Sequence, residues 1–156
     1  MKKIKKYSII VSILLFIYIV TLSIISVTMN SHPYRIFTSA SQVSYEVSLE
    51  DTNRELLVPI TIKNKSNRLI SSRNNINIGY HLYGVDEKKE QKLIAWDNQL
   101  SNIEDIFNNE EGTCNVTLNI PDKAGVYIYY IDVLESNTQW FSEKGVLTIP
   151  VTVEVK

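Results

Sequence analysis

The chain has one cysteine in 156 residues, Cys114, so no internal disulfide is open to it. Stability must come from burial of apolar side chains, which a domain of this size can supply. Histidine is nearly as scarce, with His32 and His81 the only two. A nucleophilic triad needs a base and an orienting group around a hydroxyl or thiol, and a structural zinc site needs four gathered ligands. Two histidines far apart and one cysteine provide neither, and no Gly-x-Ser-x-Gly turn occurs. No cofactor is expected. Helical periodicity beyond a turn or two is missing after the first thirty residues; the one exception is 100–107, where Leu100, Ile103 and Phe107 fall on one side and predict a short helix.

What is present begins with an apolar run. From 7 to 29 no side chain ionises near neutral pH except the weakly acidic Tyr7 and Tyr18. At about 1.5 Å of helical rise per residue such a run spans a hydrocarbon core roughly 30 Å thick. Lys2, Lys3, Lys5 and Lys6 precede it, and positive flanks tend to stay in the cytoplasm. The expected organisation is a cytoplasmic basic flank over 1–6, a transmembrane signal anchor over 7–29, a linker over 30–40 and a folded domain over 41–156 outside the cell membrane. The alternative is a cleaved signal peptide, whose apolar region is usually about 7–15 residues and ends at a small-x-small site. This run is longer and closes on Ser26-Val27-Thr28-Met29. Setting the four lysines aside leaves twelve basic against seventeen acidic residues, a formal −5 for the rest of the chain. A mildly acidic domain gains nothing from counterion release, so nucleic acid is not an expected partner.

The domain alternates with period two. Val43, Tyr45, Val47 and Leu49 share one face of a strand, and the register recurs in Leu56, Val58, Ile60 and Ile62, and in Ile76, Ile78, Tyr80 and Leu82. It returns in Cys114, Val116, Leu118 and Ile120, and closes with Leu147, Ile149, Val151, Val153 and Val155. Two further strands are expected, a short one over 91–96 and a central one over 126–134 that is apolar on both faces except at Asp132. About seven such strands bury their apolar faces best as two packed antiparallel sheets. Pro59 and Pro150 sit at outward strand positions, which points to edges or bulges.

Two local features resemble immunoglobulin-like and fibronectin type III-like sandwiches. The run from Ile120-Pro121 to Gly125-Val126-Tyr127 resembles the crossover carrying a tyrosine corner, with the Tyr127 hydroxyl placed to bond back to upstream backbone. Gly125-x-Tyr127, Ile131-Asp132-Val133-x-Glu135, Trp140-Phe141-Ser142-x-x-Gly145 and a terminal alternating strand are similar to an accessory sandwich module of bacterial envelope and glycan-assembly proteins. The resemblance implies an all-β, antiparallel two-sheet sandwich, exported and without established activity of its own. It gives Gly125 and Tyr127 structural roles. Trp140 and Phe141 follow a polar loop and precede Ser142 to Gly145, and are expected to plug the end of the sandwich rather than face solvent as a ligand clamp.

Aromatics are the most plausible binding equipment. Trp96, Trp140, Phe141 and the tyrosines at 80, 83, 127, 129 and 130 could stack on sugar rings or simply fill the core. Parity separates them: Tyr80, Tyr127 and Tyr129 point inward, Tyr83 and Tyr130 outward. The surface formed by His81, Tyr83, Tyr130 and Asp132 on two neighbouring strands is the first expected binding site. A calcium loop from Asp97, Asn98, Glu104, Asp105, Asn108, Glu110 and Glu111 has no matching ligand spacing and reads as a solvated acidic loop. Cys114 at an inward position is expected to be inert. Asn64-Lys65-Ser66 and Asn115-Val116-Thr117 match the glycosylation sequon, a triplet that arises by chance in an Asn-rich chain. The composite expectation is a single-span, membrane-anchored, extracytoplasmic and non-catalytic binding or accessory module for an envelope protein or surface glycan. The alternative is a subunit or catalytic domain of an envelope glycan-processing enzyme, with Glu104 or Asp105 supplying a carboxylate.

Overall fold

A computed structural model describes Ile17, Tyr18 and residues 35–136 and 139–156. The chain divides into two compact units, Met1–Pro33 and Tyr34–Lys156. Of the first, only Ile17 and Tyr18 are described, and both are helical. The expectation of a membrane-spanning helix is corrected here. Among the described residues no helix is long and apolar enough to cross a membrane, and crossing needs about twenty consecutive apolar helical residues. The basic flank and, apart from Ile17 and Tyr18, the apolar run lie outside the described residues. The signal anchor, the single-span membrane partner and the extracytoplasmic localisation drawn from that run therefore play no part in the functional reading below.

The second unit is all-β, with ten strands among the described residues rather than about seven. They are β1 (Ile36–Ala40), β2 (Ser44–Val47), β3 (Glu55–Asn64), β4 (Ile76–Val85), β5 (Gln91–Ala95), β6 (Ser101–Asn102), β7 (Glu111–Asn119), β8 (Gly125–Glu135), β9 (Gln139–Trp140) and β10 (Ile149–Val155). One sheet runs β1-β3-β7. The other runs β2-β10-β8-β4-β5, with β6 added to β4 and β9 to β8. All pairings are antiparallel except β2 with β10, which is parallel.

The alternating residues meet between the sheets. Val58, Ile60 and Ile62 of β3 and Val116 and Leu118 of β7 share one buried cluster with Ile76, Ile78 and Tyr80 of β4, Tyr129, Ile131 and Val133 of β8, and Val151 and Val153 of β10. Burying an aliphatic side chain of this size contributes about 1.5–3 kcal/mol, which is how the domain does without a disulfide. Two tyrosines in that core also satisfy their polar ends. The Tyr80 hydroxyl accepts from the Asn119 N–H at 3.1 Å, and the Tyr129 hydroxyl donates to the Asn119 carbonyl at 2.7 Å. The end of β7 is thereby tied to the opposite sheet.

Several expectations change in detail. The linker over 30–40 contains a strand: Ile36–Ala40 pairs with Ile60–Asn64 of β3, and the chain then changes sheets to form β2. The short helix over 100–107 does not form. Ser101–Asn102 pairs with β4, Ile103 donates its N–H to Ser72 Oγ at 2.7 Å, and Ile106 bridges to Ile70. Cross-chain hydrogen bonds win over a weak three-residue apolar periodicity, with Ile103 and Ile106 buried and Leu100 and Phe107 exposed. The prolines are not on edge strands either. β3 and β10 are each paired on both sides, but β1 pairs only from Ile60 onward and β2 only from Thr152 onward. Pro59 and Pro150 lie just beyond those partners, where a missing N–H interrupts no ladder on that side.

Candidate functional site

The outer face of the larger sheet is covered at one end by two short segments, the one that follows β5 and the one that carries β9. Beneath them lie His81 of β4 and Asp132 of β8. Both were expected at the surface, and both are buried, at 3% and 4% exposure. The parity that turned them away from the main core was right. What period-two reasoning lacks is any view of a second layer folded over that face. His81 Nδ1 is 2.6 Å from the Trp96 carbonyl and Nε2 is 3.4 Å from Asp132 Oδ2. The imidazole stacks on the Trp96 indole, with centroids 4.1 Å apart and planes at 23°, and meets the Trp140 ring edge-on at 4.5 Å.

Each wall of this arrangement is anchored. Asp132 Oδ1 accepts from the Val133 N–H at 2.7 Å, and both its oxygens accept from the Ser142 N–H, at 3.3 and 3.2 Å. Trp140 Nε1 donates to Asp97 Oδ1 at 3.1 Å. Asn98 Nδ2 donates to the Tyr80 carbonyl at 3.3 Å, which pins the post-β5 segment to β4. Gly79 makes room for the covering layer, since a Cβ there would come within 2.9 Å of Leu100 Cδ2 and 3.1 Å of Trp140 Cη2. Burial disfavours the charged form of His81. The hydrogen bonds to Asp132 and to the Trp96 carbonyl, with the Asp132 and Asp97 charges, outweigh it and raise its pKa above the usual histidine value.

Between the two covering segments is a hollow of about 440 Å³ lined by Trp96, Asp97, Asn98, Leu100, Leu134, Trp140 and Glu143. Its volume is in the range of small-ligand sites. Trp96 keeps 42% of its surface exposed, whereas Trp140 is buried. Tyr83 and Tyr130, the other two residues of the expected surface, stay half-buried beside this place. Their rings meet edge-on at 5.3 Å, and the Tyr130 hydroxyl donates to Gln91 Oε1 at 2.9 Å.

The remaining candidates fall elsewhere. The Tyr127 hydroxyl donates to the Lys123 carbonyl at 2.9 Å. Gly125 opens β8 with φ 156°, and a Cβ there would lie 3.6 Å from the Tyr127 ring. Phe141 belongs to the main core, while its neighbour Trp140 belongs to the outer layer, so the pair does not jointly plug one end. The acidic residues do not converge, and among the described residues no group of three His, Cys, Asp or Glu side chains could hold a metal. Asp105 accepts from Ser71 Oγ and pairs with Arg73, Glu110 accepts from the Phe107 N–H, and Glu111 pairs with Lys63. Cys114 is half-buried, and burial pushes its pKa up to about 11.

Leu134 and Glu143 were not singled out from sequence, and Leu100 entered only as part of the expected short helix. The available signal was Gly79, an isolated glycine inside a strand, which marks close approach of another segment.

No family model matches the chain, and no curated protein matches it. Some solved structures match it weakly. A mutant β-glucosidase from Listeria innocua in complex with laminaribiose is 17% identical over 79% of this chain, which spans 16% of the enzyme, with a TM-score of 0.48. The alkylpurine DNA glycosylase AlkC of Pseudomonas fluorescens is 8% identical over 76% of this chain and 30% of its own length, at 0.46. The ASH/PapD-like domain of human CEP192 is 10% identical over 80% of this chain and 86% of its own length, at 0.37. The matches are weak and fall on unrelated proteins, and the chain itself resembles a generic two-sheet β-sandwich.

Proposed function

We propose that the sandwich is a non-catalytic interaction module of the immunoglobulin-like class, which recognises its partner through the hollow on the outer face of the larger sheet. The class is supported by the sheet orders β1-β3-β7 and β2-β10-β8-β4-β5, which resemble the layers of an immunoglobulin-like domain. The bond from Tyr127 to the Lys123 carbonyl has the form of a tyrosine corner. The observation that carries the binding reading is Trp96, a large ring held from behind by a buried imidazole and open at the mouth of a concavity. Exposed, rigidly supported tryptophan is the side chain most enriched at binding hot spots. A non-catalytic role is supported by the state of the reactive groups. His81 and Asp132 are roofed by tryptophan, Cys114 is protonated at neutral pH, and Asp105 is engaged by Ser71 and Arg73.

The test uses the full-length chain and a panel of short peptides and oligosaccharides, followed by tryptophan fluorescence and by mass spectrometry of the ligand. A saturable change that Trp96→Ala abolishes, with the ligand recovered intact, supports the reading. Ligand turnover, or binding that Trp96→Ala leaves unaltered, overturns it.

A further inference from the structure

Chemistry at the hollow is one-sided. Asp97 has Oδ1 occupied by Trp140, which leaves Oδ2 for a ligand. Asn98 uses its amide hydrogens on the Tyr80 and Ala95 carbonyls, which leaves its amide oxygen as the group it can offer a ligand. Glu143 is exposed at the rim, and among the described residues no lysine or arginine lines the space. Two carboxylates, an amide oxygen, two indoles and two leucines therefore surround a volume with a net negative charge. His81 lies behind Trp96 with Asp132 against its other nitrogen.

A ligand complementary to this lining carries positive charge, several N–H donors and a flat or apolar body. Ammonium supplies charge as a compact, strongly hydrated point. Guanidinium is planar and weakly hydrated, stacks on an indole and offers a fork of donors to a carboxylate. Trp96 and Asp97 are adjacent in sequence and line the same hollow, which offers the flat ring and the carboxylate that a guanidinium needs. We infer that the hollow takes the guanidinium of an arginine side chain carried by a partner polypeptide. This rests on the binding reading above and names the chemistry of its partner.

The experiment titrates the full-length chain with a short acetylated, amidated peptide holding one central arginine, and with the same peptide holding citrulline or lysine in its place. Citrulline has nearly the same shape without the charge. Tryptophan fluorescence reports occupancy, and melting temperature confirms that each variant is folded. The arginine peptide is expected to bind at least about tenfold more tightly than the citrulline peptide, and to weaken several-fold between low and high salt. Asp97→Asn retains the acceptor for Trp140 and removes the charge; together with Glu143→Gln it is expected to erase the preference for arginine over citrulline. Equal binding of citrulline or lysine, or an arginine preference that survives both substitutions, overturns the inference. In that event Trp96-dependent binding of the neutral peptide would still leave the interaction-module reading standing, whereas binding of every peptide that ignores Trp96→Ala would remove both.

Discussion

At the scale of single residues, two buried polar side chains set the most specific expectations. His81 faces an oxygen from each ring nitrogen, so the structure accommodates the doubly protonated ring. Its folded pKa lies above the unfolded value of about 6.5. The stabilisation is then fully present below the unfolded value and is lost as pH rises through the folded one. The gap in melting temperature between the wild type and His81→Gln should therefore be widest near pH 6 and narrow towards pH 8.5; a gap that widens with pH would contradict the pairing. Asn64 is the second case. Its Nδ2 donates to the Arg68 and Ile106 carbonyls at 2.7 and 2.9 Å, and its Oδ1 accepts from the Ser66 N–H and hydroxyl at 2.9 and 2.6 Å. Asn64→Ala strands several buried groups at once and should cost about 2–4 kcal/mol in denaturant unfolding, since each unmet group costs about 1–3 kcal/mol. Sequence showed Asn64 only as the head of a sequon. A single residue between Asn and Ser fits a glycosylation acceptor and an asparagine-centred turn equally well, and only burial tells them apart.

At the scale of elements, alternation located the long strands because one face of each meets a continuous core. It failed where pairing rather than burial makes the strand. β1 exposes Phe37 and alternates weakly, and β6 and β9 have two residues each, too few for any period. The covering layer was hidden for a related reason. Trp96, Leu100 and Trp140 come from separate segments, and nothing local marks them as neighbours apart from Gly79 opposite them. Gly79→Val tests this directly. Overpacking of a fitted contact costs about 1–3 kcal/mol, and the displaced roof should expose Trp140. A red-shifted tryptophan emission with the sandwich still folded by circular dichroism is the expected result, and an unchanged spectrum would refute the close approach.

For the whole molecule, one apolar core between two sheets carries the stability. Thermal unfolding should therefore be the same with and without reductant, and Cys114, half-buried and protonated, should react with a thiol reagent much more slowly than an exposed cysteine. With its pKa at about 11, roughly one Cys114 in a thousand is thiolate at pH 8. Labelling at the rate of an exposed cysteine would contradict this. The two-layer architecture was legible because five apolar alternations need partners on both sides, and sheet order was not, because antiparallel strands of similar composition can be shuffled without changing the pattern. One feature of that order bears on mechanics. The chain enters through β1 on one sheet and β2 on the other, and β2 lies parallel to β10, its last strand. A tug between the two ends of the domain must first prise away β1 and then slide β2 along β10, straining their bonds together instead of unzipping them singly. The polypeptide is thus fastened by two clasps in series, and the inner one resists traction along its whole length.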